Sequence, residues 1–155
     1  MSCLICDRIE KIKNGENPYF VCELETGYVV IGDHQRFQGY TLFLCKVHES
    51  ELHFLDKAFR QKYLEEMSLV AEAVYNVNHP DKMNYELLGM GDSHIHFHLF
   101  PRYNGDLKNY GNNGRGPVWW LPMEEMWDDQ YRPTPEELKE KCQQLKEEIK
   151  RLRGR

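Results

Sequence analysis

The sequence predicts an α+β fold of five strands, one long central helix and a C-terminal helix. Three observations carry that expectation. His94-Ile-His-Phe-His-Leu-Phe100 alternates with period two, the strand pattern, which sets three imidazoles on one face and apolar side chains on the other. Phe59, Tyr63, Met67, Val70, Val74 and Val77 recur at three- and four-residue steps, the spacing of a helix with one buried face. Thr134-Pro-Glu-Glu137 is a helix start, with a capping residue, Pro at the first helical position and an acid at the third.

Taken in order, Tyr19 to Leu24 and Gly27 to Ile31 are short β-rich runs joined by Glu25-Thr26, which reads as a hairpin. Gly39 to Val47 is a third strand and the most apolar of the set. Asp56 is placed to cap the helix that runs to about Val77, and Pro80 lies beyond its end as a stop signal. Met83 to Gly89 is the fourth strand and the histidine row the fifth, joined by the tight turn Gly89-Met-Gly-Asp-Ser93. From Tyr103 to Pro117 the chain is rich in Gly and Asn and reads as a long loop. Trp119, Trp120 and Trp127 follow, read as packing residues in preference to a lid over a ligand. Leu138, Cys142, Leu145, Ile149 and Leu152 stripe the last helix, which is too short for a coiled coil. The 155 residues are expected to form one domain: a core over about 3–102, a loop and tryptophan segment over 103–133, and a helix over 134–153.

A net charge of −5 and a pI near 5.8 imply no general affinity for nucleic acid. The basic end Lys150-Arg-Leu-Arg-Gly-Arg155 reads as a solvated helix terminus that complements the helix dipole. No apolar run is long enough to span a bilayer, and the N-terminal segment lacks signal-peptide character. The expectation is a cytoplasmic protein with no membrane partner. Five cysteines, an odd number, argue for free thiols rather than a disulfide framework.

Cys3 and Cys6 form a C-x2-C pair, half of a tetrahedral zinc site that needs two more N or S ligands. His48 and His94 are the candidates. A redox pair and incidental thiols are the competing readings, the first lacking a helix after a strand end. His96, in the middle of the row, is the candidate nucleophile. A neutral imidazole attacks phosphorus with one nitrogen when its other N–H is held by an acceptor. His98 is placed to bind phosphate oxygens or to assist the leaving group. Ser93 and the N–H groups of its turn are candidates for the phosphoryl oxygens. The bland alternative for the whole row is a metal-ligand strand or a His-rich surface strand.

The motif resembles the His-φ-His-φ-His-φ-φ signature of the histidine triad superfamily, where φ is apolar. The likeness extends over roughly residues 3–102, in order: Cys-x2-Cys, a hairpin, Gly39-Tyr-Thr-Leu-Phe-Leu with Lys46-Val-His48, a helix, then the triad. Pro101-Arg102 after the triad is similar to the branch that contains the fragile-histidine-triad proteins and many microbial hydrolases. The resemblance implies a five-stranded antiparallel sheet, a homodimer, and a nucleotide substrate. It implies that His96 attacks the α-phosphate and becomes nucleotidylated, that His98 contacts the phosphate, and that a structural zinc is held by Cys3, Cys6, His48 and His94. No organic cofactor is implied. The substrate expected is a dinucleoside polyphosphate, with a nucleoside phosphoramidase, a nucleotidyl transferase or a nucleotide-binding protein of little turnover as alternatives. A zinc-stabilised structural protein is a third class.

Two departures from relatives bear on specificity. Ile31-Gly-Asp-His-Gln-Arg36 offers Gly32 or Asp33 where relatives hold the ribose, and Asp33 is the expected ribose contact. Met90 stands where several relatives have an amide, and a thioether cannot donate the hydrogen bond an amide would. Arg102 and Arg115 are candidates for a polyphosphate chain, Arg102 first because it follows the catalytic strand. Val30 and Phe37 are read as core or as walls of a base pocket.

Overall fold

The computed structural model describes residues 2–110 and 114–155. Five strands form one sheet in the order β1-β2-β3-β5-β4, every neighbouring pair antiparallel. They are β1 (Phe20–Glu23), β2 (Gly27–Ile31), β3 (Thr41–Cys45), β4 (Lys82–Leu87) and β5 (His96–Arg102). The helices are α1 (Leu4–Lys13), α2 (Lys57–Asn78), the single turn α3 (Met123–Met126) and α4 (Pro135–Arg153).

Helix α1 is not among the expected elements. Charged residues dominate its sequence, yet Ile5, Ile9 and Ile12 recur at helical steps and cover Tyr28, Val30 and Leu44 on one face of the sheet. Cys3 caps it, accepting from the Cys6 N–H at 3.3 Å. The C-x2-C pair is thus one helical turn.

On the opposite face α2 and α4 cover the main core. Tyr63 of α2 stacks on Phe43 at 5.0 Å and 12°, and its hydroxyl donates to the Phe43 carbonyl at 2.9 Å. Ile95, Phe97 and Leu99 belong to this core, as the alternation predicts. The buried Glu66 carboxylate accepts from the Glu25 and Thr26 N–H groups and so closes the predicted hairpin turn. Asp56 precedes α2, but its side chain makes no capping hydrogen bond; its carbonyl accepts from Arg60 N–H instead. Helix α2 stops at His79, in the left-handed conformation at φ 51°, just before Pro80. The capping box of α4 forms as expected, Thr134 and Glu137 each accepting from the other's backbone. Leu138, Leu145, Ile149 and Leu152 are buried.

Strand β5 begins at His96, not at His94. Before it, Ile95 donates to Glu49 and accepts from Cys45, which turns His94 away from the row. Of the Gly- and Asn-rich stretch, residues 111–113 lie outside the described residues. Val118, Leu121 and Met126 beyond it join Phe37, Tyr40 and Phe100 in a second small core on the histidine face. No helix among the described residues is long and apolar enough to cross a membrane.

Candidate functional site

Four candidate ligands converge at the N-terminal end of the histidine segment. Cys3 Sγ, Cys6 Sγ, His48 Nδ1 and His94 Nδ1 all lie within 4.8 Å of one another. Individual separations are 3.5 Å for Cys3–His94, 3.5 Å for Cys6–His94, 3.2 Å for Cys6–His48 and 3.2 Å for His48–His94. Metal distances of about 2.3 Å to sulfur and about 2.0–2.1 Å to nitrogen give tetrahedral edges of about 3.3–3.8 Å. These four edges match that within a few tenths of an ångström, and two thiols with two imidazole nitrogens are a donor set whose chemistry fits zinc. His94 is prepared for the role. Its Nε2–H donates to the Cys45 carbonyl at 2.7 Å, which leaves Nδ1 bare toward the thiols. Burial disfavours its protonation.

His96 and His98 share the other side of the strand, ring centroids 4.8 Å apart. His96 Nδ1 lies 2.7 Å from the His94 carbonyl. A carbonyl only accepts, so Nδ1 carries the proton and Nε2 presents a lone pair. His98 has the opposite tautomer. Its Nδ1 lies 2.7 Å from the Tyr40 hydroxyl. Tyr40 is buried, which raises its pKa and keeps it protonated. Burial, and secondarily the His96 charge, lowers the His98 pKa to about 4, so its ring is neutral near pH 7. Among the described residues the Tyr40 O–H meets no other acceptor, so it donates to His98 Nδ1, and the proton of His98 sits on Nε2. One imidazole offers a nucleophilic nitrogen and the next a hydrogen-bond donor.

Both rings line a cleft of about 1020 Å³. The Gly89–Ser93 turn forms one wall, with Ser93 exposed in it, and Trp119, Met123 and Trp127 form another. Met90 is fully exposed at the rim. Among the described residues no lysine or arginine lines the cleft, whereas Glu51 and Asp92 do. Trp119 stands edge-on to His98 at 6.0 Å and 89°. Its indole N–H donates to Glu86 Oε1 at 2.8 Å. Glu86 is the cross-strand neighbour of His98, and its Oε2 is buried without a partner among the described residues. Burial raises the Glu86 pKa, opposed by the Trp119 hydrogen bond.

The structure brings His96, His98 and Ser93 together but not Asp33 or Arg102. Asp33 is clasped by Arg8 of α1 through two hydrogen bonds of 3.1 and 2.9 Å, in a groove beside that helix. Arg102 points to the far end of β5. It forks onto Asp106 at 2.8 and 3.0 Å and also donates to Asn84 and the Gly116 carbonyl. Its donors are committed to holding the segment after the strand. Arg115 lines that same distal region, and Val30 and Phe37 are core. Tyr40 and Glu86 are the site residues that sequence reasoning missed, and Trp119, read there as packing in preference to a lid, lines the cleft.

A family profile described as the HIT domain matches residues 15–105, more than half of the chain. No curated protein matches the chain by sequence. Among solved structures, a histidine triad protein from Bradyrhizobium japonicum is 21% identical, covers 84% of this chain and 89% of its own, and superposes with a TM-score of 0.70. One from Marinobacter aquaeolei is 23% identical over 86% and 89%, with a TM-score of 0.68. A Zn-bound histidine triad family protein from Mycobacterium smegmatis is 22% identical over 99% and 97%, with a TM-score of 0.64. At these identities the likeness to the solved structures is one of fold. With the profile spanning the hairpin, α2 and the histidine strand, the chain belongs to the HIT domain family.

Proposed function

We propose that this protein is a nucleotide hydrolase that works through a nucleotidyl-histidine intermediate. His96 Nε2 attacks the α-phosphorus of a dinucleoside polyphosphate, and an N–P bond forms as the bond to the bridging oxygen breaks. That oxygen leaves with the bonding pair, and the His98 Nε2–H stabilises it or a phosphate oxygen. Water then gives its hydroxyl to phosphorus and its proton to solvent, the N–P bond breaks with its pair returning to His96 Nε2, and the nucleoside monophosphate leaves. Ser93 and the turn N–H groups are assigned to the phosphoryl oxygens. The observation that carries the reading is the pair of 2.7 Å hydrogen bonds that fix opposite tautomers on neighbouring imidazoles.

Zinc, held by Cys3, Cys6, His48 and His94, supplies structural cross-linking that anchors the segment entering β5. The reading includes a homodimer and, because all five cysteines are free, a reducing cytoplasmic setting. The cation-free cleft favours a second reading, a nucleoside phosphoramidate, whose leaving group carries no phosphate. Incubation with diadenosine tetraphosphate, beside His96→Asn, tests the first reading. AMP release that vanishes in the variant is expected. Release of AMP only from an adenosine phosphoramidate moves the assignment to the second, and release from neither sinks both.

A further inference from the structure

We propose that Trp119, held by Glu86, is the platform on which the leaving half of the substrate lays a nucleobase. The inference rests on the nucleotidyl-histidine reading and deepens it by naming what selects the leaving group. Three observations carry it. The cleft gives a polyphosphate no cation among the described residues, so charge pairing with this chain is not what recognises the leaving half. Its walls are instead unusually apolar for an exposed surface. Leu87, Leu88, Met90, Trp119 and Met123 line it, and each is more than a third exposed. Contiguous exposed apolar surface of this kind marks a place where something binds.

The third observation is that Trp119 is fixed in place. Its indole N–H donates to Glu86 Oε1, and its ring stands perpendicular to His98 at 6.0 Å and to Phe100 at 5.9 Å. Trp127 lies 6.1 Å away on another side. A ring held by a hydrogen bond and three aromatic contacts loses little freedom when a ligand stacks on it, which is the condition for a good platform. Glu86 commits a half-buried carboxylate to this, with one oxygen on the indole and the other buried without a partner among the described residues. A surface tryptophan with no task has no need of such an anchor. Glu86 is a positioning residue here, acting through Trp119.

The test compares two substrates that share the AMP half. Diadenosine triphosphate loses ADP, which bears a base; ATP loses pyrophosphate, which does not. The readout is the ratio of kcat/KM for the two, measured on the metal-loaded protein. Trp119→Ala is expected to lower that ratio about tenfold, the scale of one base–aromatic stack. Trp119→Phe retains most of it. Glu86→Gln, whose amide oxygen still accepts from the indole, keeps the ratio, and Glu86→Ala lowers it. A purely structural role for Trp119 would depress both substrates alike and leave the ratio unchanged, which overturns the proposal. If Trp119→Ala does not fold, an unchanged ratio in Glu86→Ala overturns it instead. Failure of the underlying reading looks different: no AMP from either substrate and no nucleotide bound covalently to His96, in which case the proposal falls with it.

Discussion

Replacing Tyr40 with Phe removes one oxygen and little else. The ring remains in its stack on Phe100, at 4.0 Å and 9°, so packing is conserved. What disappears is the O–H that donates to His98 Nδ1 at 2.7 Å. His98 then has an unpaired acceptor in a buried setting, or it moves its proton to Nδ1 and turns a bare nitrogen to the cleft. The first outcome leaves the Nε2–H tautomer without its anchor, and the second removes that donor for part of the population. A neutral hydrogen bond contributes about 1 kcal/mol net, and leaving a buried partner unpaired costs up to about 3 kcal/mol. At about 1.36 kcal/mol per tenfold, kcat should fall roughly 5- to 150-fold. KM should change little, because Tyr40 does not line the cleft. The assay is steady-state AMP release from diadenosine tetraphosphate, with thermal unfolding to confirm the fold. A folded Tyr40→Phe protein with wild-type kcat would refute the argument that this hydroxyl sets the working tautomer.

Cys6→Ser should lose bound zinc, read by metal analysis, and melt at a lower temperature, whereas His96→Asn should keep the metal and lose catalysis. Arg102→Ala should destabilise the fold by about 3–5 kcal/mol in denaturant titration, because it strands the Asp106 carboxylate, only 9% exposed. If Arg102 instead serves the polyphosphate chain, the damage appears as a raised KM that grows with chain length. His98 titrates near 4 when folded and near 6.5 as a free side chain, so the unfolded chain binds more protons between those values. Its contribution to stability is therefore complete above about pH 6.5 and lost as pH falls toward 4, an effect on the order of 3 kcal/mol. His98→Gln should flatten that part of the stability–pH curve relative to wild type, and parallel curves would contradict the assignment.

The sequence reports those features whose signal is local. The capping box of α4, the steps of α2, the hairpin at Glu25-Thr26 and the alternation through Ile95, Phe97 and Leu99 each depend on neighbours in the chain, and each appears in the fold. The cluster of Cys3, Cys6, His48 and His94 is legible too, because C-x2-C calls for two more N or S ligands and the histidine triad resemblance points to these two histidines. Features set by long-range partners are not. Asp33 looks free to meet a ribose until Arg8, on a helix hidden by its charges, takes both oxygens. Arg102 looks poised for phosphate until Asp106 claims it, although their i,i+4 spacing was a usable clue. Tyr40 reads as one more apolar position of a strand, and nothing local tells that its hydroxyl meets a residue 58 positions away. The row itself is split: His94 turns to the thiols while His96 and His98 face the cleft, a division fixed by the carbonyls of Cys45 and His94.

His96 Nε2 is the proposed nucleophile. The most direct measurement is a single-turnover reaction with diadenosine tetraphosphate, quenched in base because a phosphorus–nitrogen bond survives alkali and not acid. Peptide mass spectrometry then locates the adduct. One adenylyl group on His96, absent from His96→Asn and decaying as AMP appears, is the predicted result. AMP release with no adduct at any time, or an adduct on another residue, would contradict the account.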